Sequence, residues 1–159
     1  MLEKTDVNLS EGADSRPKPL GTTDNPSNIH SSFSILIVED HEANIQTYSE
    51  YLLAQGYRVF VARDGLEGLE LAQTRRPDLI LMDLIMPRMD GFEATRRIKA
   101  DENLKCIPII ALTALVMPGD RERCLEAGVD FYLAKPVLLK ELLNLIEKSL
   151  PYPRQVNFK

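Results

Sequence analysis

The chain has 159 residues, 44% of them hydrophobic and 27% charged, with a formal net charge of -5. That is enough length for one domain with a real core, and an acidic balance without any basic cluster argues against nucleic acid as a partner. No apolar run nears the ~20 residues that span a bilayer, and the opening MLEKTDVNLS lacks the apolar core and cleavage pattern of a secretory leader, so a cytoplasmic chain with no membrane partner is expected.

Residues 1–32 are rich in Pro, Gly, Ser, Thr, Asp and Asn and contain no Phe, Tyr or Trp. Such a segment buries too little surface to offset its ordering entropy, and it is expected to be a disordered tail or linker. From Phe33 the pattern changes. FSILIV (33–38) reads as a strand, and 41–55 as a helix with Ile45, Tyr48 and Leu52 on one face, closed by Gly56. YRVFVA (57–62) alternates as a strand. Asp64 and Glu67 in DGLE form a capping-box pattern opening a helix that runs to Pro77. DLILMD (78–83) is a strand, and DGFE (90–93) repeats the capping pattern ahead of a helix with Phe92 and Ile98 inward. IPIIAL (107–112) is a strand that tolerates Pro108 only at its start. Pro118 suits the first turn of a helix ending at Gly128, and DFYLA (130–134) is a fifth strand. The last helix carries Leu139, Leu142, Leu143, Ile146 and Leu150 on one stripe. Leu138 and Leu145 lie off it, either widening the buried face or forming a partner patch.

Strands and helices alternate five times, and several strands are apolar throughout. Both features predict an α/β fold with a doubly wound parallel sheet covered on both faces. The domain is expected over 33–150, with 151–159 a short tail.

In such sheets ligands bind beyond the carboxyl ends of the strands. Those ends carry Glu39 and Asp40, a pair also expected to help cap the first helix, then Asp83, then Thr113, then Lys135 before Pro136. Three packed carboxylates repel one another, and a hard divalent cation such as Mg²⁺ relieves that in an all-oxygen site. A carboxylate is also a competent nucleophile toward phosphorus, Lys135 offers a point charge for phosphoryl oxygens, and Thr113 offers a hydroxyl. Phosphoryl transfer asks mainly for positioning and charge neutralisation. Cys106 and Cys124 match no metal or redox spacing and read as reduced, partly buried thiols.

VED (38–40), MDLIMPRMDG (82–91), ALTA (111–114) and YLAKP (132–136), in that order, resemble the receiver domains of two-component response regulators over about 33–150. The resemblance implies a flavodoxin-like strand order 2-1-3-4-5. It implies Asp83 as phosphoacceptor, and Mg²⁺ held by Asp40, Asp83 and the backbone carbonyl of Ile85, with Glu39 acting through water. It implies that Thr113 and Lys135 contact the phosphoryl group, that Tyr132 is a switch aromatic, and that the Lys135–Pro136 bond is cis. The implied partner is a histidine kinase or histidine phosphotransfer protein. Such a domain catalyses only its own phosphorylation and dephosphorylation, within a phosphorelay. A dimer or partner face is implied on the fourth helix, fifth strand and fifth helix. Ile85 and Leu115, two residues beyond Asp83 and Thr113, are apolar and imply slow loss of the phosphoryl group.

Rival readings fare worse. A flavodoxin-like cofactor binder needs a phosphate-cradling loop after the first strand, where EDHEAN is acidic. A haloacid-dehalogenase-type phosphatase normally carries a second Asp two residues past its nucleophile, where Ile85 stands. A phosphorylation-independent scaffold of the same fold would not need the intact acidic set. Only PYPRQVNFK follows the last helix, so a receiver without an output domain, in stand-alone signalling or in relay within a hybrid system, is expected.

Overall fold

The computed structural model describes residues 32–114 and 117–151. The expected tail regions 1–31 and 152–159, and Leu115, lie outside them. Ten elements alternate along the chain: β1 Ser34–Val38, α1 Glu42–Ala54, β2 Arg58–Ala62, α2 Gly65–Arg75, β3 Leu79–Asp83, α3 Gly91–Ala100, β4 Ile109–Thr113, α4 Asp120–Ala127, β5 Phe131–Ala134 and α5 Leu139–Ser149. The strands form one parallel sheet in the order β2-β1-β3-β4-β5.

β1, β3 and β4 are buried at every position, as expected of central strands covered on both faces. Successive side chains alternate between two cores. Ile35, Ile37, Leu79, Leu81, Ile110 and Leu112 pack with Tyr48 and Leu52 of α1 and Leu142 and Ile146 of α5. Leu36, Val38, Ile80, Met82, Ile109 and Ala111 pack with α2, α3 and α4 through Ala72, Phe92, Ile98 and Cys124. Cys124 is thus a core residue, whereas Cys106, also expected to be partly buried, is exposed.

The helices start where their chemistry directs. Asp64 Oδ1 accepts from the Glu67 N–H at 2.8 Å and Asp90 Oδ1 from the Glu93 N–H at 2.9 Å, the N-cap bonds predicted for both. Glu67 also accepts from the Arg63 N–H at 2.9 Å. Pro108 directly precedes β4, and its carbonyl accepts from the Ile80 N–H at 3.0 Å.

Two expectations need correction. Pro118 is not in the first turn of α4, because Gly119 at φ +96° is left-handed and interrupts any helix before Asp120. Neither acid of the Glu39–Asp40 pair caps α1: its N-cap is His41, without a side-chain bond, and Glu39 Oε1 instead accepts from the His41 N–H at 3.1 Å. Leu138 and Leu145 divide between the two readings: Leu138 is 61% exposed, while Leu145 packs partly against the α1–α5 core.

Candidate functional site

The strand register delivers the site residues to one edge. Val38 pairs with Met82, Asp83 with Leu112, and Thr113 with Ala134. Glu39, Asp83, Thr113 and Lys135 therefore leave neighbouring strands at nearly one level. Continuing the alternation, Glu39, Asp83 and Lys135 fall on the parity of the α1–α5 face. Lys135 comes from an edge strand two positions from β3, and its long side chain spans the gap. Its Nζ lies 3.2 Å from Glu39 Oε2 and 3.3 Å from Asp83 Oδ2.

Glu39 and Asp83 are almost fully buried, at 1% and 5% exposure, while Asp40 faces solvent. Carboxylate oxygens of all three lie within 4.8 Å of one another. Asp83 Oδ1 accepts from the Ile85 N–H at 3.2 Å, which turns the loop after β3 back over the carboxylate. Ile85 itself is 58% exposed at the mouth. Thr113 is buried at the end of β4, and its carbonyl accepts from the Lys135 N–H at 2.8 Å. The Lys135–Pro136 peptide is cis.

Burial raises the Glu39 pKa, and the neighbouring Asp83 raises it further against the opposing charge of Lys135. Burial works to lower the Lys135 pKa, but the charges of Asp83 and Glu39 outweigh it and the net shift is upward. One ammonium thus serves two buried carboxylates, with a third at the surface. This all-oxygen, excess-negative cluster is chemically suited to a hard divalent cation. A strand-end carboxylate, a lysine and a hydroxyl side by side are also the groups that phosphoryl transfer requires.

Residues 35–147 match the response regulator receiver domain model. The chain belongs to the receiver domain family. The receiver is 42% identical over 117 residues to the polar-differentiation response regulator DivK of Brucella anthropi, covering 74% of this chain and 95% of that protein. It is similar to the receiver domain of a Pseudomonas aeruginosa sensor histidine kinase, whose structure holds a magnesium ion in the active-site cleft, with a TM-score of 0.69 and 45% identity over 73% of this chain and 95% of that one. It is also similar to the Vibrio cholerae chemotaxis protein CheY4, with a TM-score of 0.70 and 33% identity over 74% and 98% of the two chains. Receivers are signalling modules of two-component systems, and the strand order of this one is that of the flavodoxin-like fold.

One feature of the receiver site had no distinct signal in the residues. Tyr48 reads only as part of the buried stripe of α1, yet it sits close enough to the cluster for the charges there to act on it. Burial raises its pKa, Lys135 opposes, and Glu39 and Asp83 add to the rise. Tyr132 is 44% exposed on the edge strand β5 and beside Phe131 at 42%, so it is not part of the core. Among the described residues, no helix is long and apolar enough to cross a membrane.

Proposed function

We propose that residues 33–150 form a cytoplasmic receiver that accepts a phosphoryl group from a phosphohistidine partner onto Asp83 in a Mg²⁺-dependent reaction. The observation that carries this reading is the convergence of Glu39 and Asp83, both buried, on one Lys135 ammonium at 3.2 and 3.3 Å. A structural ion pair needs one acid; the second, with Asp40 alongside, leaves an unbalanced negative site.

Glu39, Asp40, Asp83 and the Ile85 carbonyl would hold Mg²⁺. When bound, the ion supplies positive charge that offsets repulsion among the carboxylates and the incoming phosphoryl group. The Asp83 carboxylate attacks phosphorus; the new O–P bond is an acyl phosphate, and the P–N bond to the partner's imidazole breaks. Lys135 Nζ neutralises phosphoryl oxygens, and the Thr113 hydroxyl donates to one of them. The chain promotes only its own phosphorylation and dephosphorylation. Ile85 at the mouth has no group able to orient a water, so the acyl phosphate is long-lived. Leu115, expected to act with it, lies outside the described residues. The partner is a histidine kinase or histidine phosphotransfer protein. The phosphorylated state is read on α4, β5 and α5: Thr113 moves toward the phosphoryl oxygens, Tyr132 swings inward, and the exposed face changes.

A haloacid-dehalogenase-type phosphatase is disfavoured because exposed, apolar Ile85 stands where that chemistry needs an acid. The deciding experiment incubates the chain with acetyl phosphate, with Mg²⁺ or with excess chelator. Stoichiometric, Mg²⁺-dependent phosphoprotein is expected. Repeated turnover of a phosphate monoester, or equal labelling in chelator, contradicts the reading.

A further inference from the structure

Helix α2 contributes no side chain to the carboxylate cluster, yet its first turn grips both chain segments that do. On one side it holds the loop that follows Asp83. The Gly65 N–H donates to the Met89 carbonyl at 2.9 Å. A Cβ on Gly65 would overlap that carbonyl oxygen and come within 2.9 Å of the Met89 carbonyl carbon. Asp64, while capping α2 with Oδ1, pairs its Oδ2 with Arg88 Nη1 at 3.1 Å. The gripped stretch is itself bonded back to the site. The Gly91 N–H donates to the Leu84 carbonyl at 3.0 Å, and a Cβ on Gly91 would overlap the Asp83 carbonyl oxygen.

On the other side the same corner holds the end of β1. A Cβ on Gly68, one turn after Gly65, would lie 2.9 and 3.0 Å from the two methyls of Val38, the residue before Glu39. Ahead of α2, the Ala62 carbonyl accepts from the Glu39 N–H at 2.9 Å. One helix end therefore registers the Glu39–Asp40 arm against the Asp83 loop. The contacts to the loop are largely backbone to backbone, which leaves little slack.

We propose that Asp64 and Gly65 are positioning residues: without touching either arm's carboxylates, they set the spacing between Glu39–Asp40 and Asp83, and with it the affinity for the divalent cation. The inference rests on the receiver reading above. Asp64→Asn retains a capping oxygen for the Glu67 N–H but loses the charge pairing with Arg88. Gly65→Ala must push away a carbonyl that belongs to the backbone, not to a pliable side chain. Gly128→Ala is the control. Gly128 sits between α4 and β5 at φ +100°, so any side chain strains it, and the contact it would make is with Lys99, not with the site.

The test titrates Mg²⁺ into the full-length chain and each variant by amide NMR, well below every melting temperature, with thermal unfolding measured in parallel. Outer-shell positioning groups typically affect metal affinity about 10- to 100-fold. Gly65→Ala should therefore weaken Mg²⁺ binding by about tenfold or more, and Asp64→Asn by several-fold. Gly128→Ala should melt lower yet bind Mg²⁺ as wild type does. If Gly65→Ala does not fold, Asp64→Asn decides. Folded variants that bind Mg²⁺ like wild type, or a Gly128→Ala loss that scales with melting temperature in the same way, overturn the inference alone. A wild-type chain that does not bind Mg²⁺ overturns the receiver reading, and this inference with it.

Discussion

Replacing Lys135 with Met removes the one ammonium shared by Glu39 and Asp83 and keeps most of the side-chain volume. Two attractions at 3.2 and 3.3 Å disappear, each worth about 5 kcal/mol gross at an effective dielectric of 20. Much of that is offset, because the lysine no longer has to be desolvated. Breaking a buried pair by removing one partner costs roughly 3–5 kcal/mol. Lys135 keeps 21% of its side chain exposed, whereas Glu39 keeps 1%, so the lower end applies. The expected loss is about 3 kcal/mol at pH 7 without divalent cations, a drop in melting temperature on the order of 10 °C. The pH dependence has a definite sign. Burial and Asp83 already hold the Glu39 pKa above its ordinary 4.5, and removing Lys135 takes away the charge that opposes this. A folded-state pKa raised above the unfolded one means that the native state binds the proton more readily, so the deficit shrinks as pH falls from 7 toward 4.5. It also shrinks on adding Mg²⁺, and in a Lys135→Met/Glu39→Gln double variant. Urea unfolding of wild type, the two single variants and the double variant measures all of this. A Lys135→Met variant as stable as wild type in chelator, or a deficit indifferent to Glu39→Gln, refutes the electrostatic account of the site.

Burial, with a smaller push from Glu147, raises the Tyr57 pKa from 10.0 to about 12. The unfolded chain ionises first as pH rises, so this residue's contribution is whole below pH 10 and is lost between 10 and about 12. Tyr57→Phe should therefore narrow the alkaline loss of stability by roughly 2–3 kcal/mol at most, seen as unfolding curves that converge with or cross wild type above pH 10. Tyr132→Ala should leave Mg²⁺-dependent phosphorylation near the wild-type rate but weaken phosphorylation-dependent association; unchanged association measured by sedimentation would remove Tyr132 from the switch. Ile85→Asn places a group able to orient water at the mouth and should shorten the phosphorylated lifetime several-fold in a mass-spectrometric decay series. An equal lifetime would mean that hydrolysis is governed elsewhere.

The two acidic caps were legible because an N-cap bond spans only three residues, and Asp64 and Asp90 form it as read. The two-core sheet was legible because uninterrupted apolar strands between helical patterns leave little else. Glu39, Asp83 and Lys135 could be named because strand ends in such a sheet fall at one edge. The 3.2 and 3.3 Å contacts also depend on strand order, which came from resemblance and not from periodicity. What remained hidden is what depends on meetings between distant loops. Nothing local marks Arg88 as the partner of Asp64, or Gly65 as the residue beneath the Met89 carbonyl. The exposure of Tyr132 follows from β5 lying at the sheet edge, which an apolar strand pattern does not disclose. Pro118 misled because the left-handed Gly119 after it overrides proline's preference for a helix start.

The central claim is that Asp83 receives the phosphoryl group. Wild type and Asp83→Asn, treated side by side with acetyl phosphate and Mg²⁺, are compared by intact mass and by peptide mapping after reductive trapping of the acyl phosphate. The amide is nearly isosteric with the carboxylate, so both chains should be folded by circular dichroism. Wild type should gain one phosphoryl group, located at Asp83 and absent in chelator, and Asp83→Asn should gain none. A full phosphoryl adduct on Asp83→Asn, or wild-type label mapping to another residue, would contradict it.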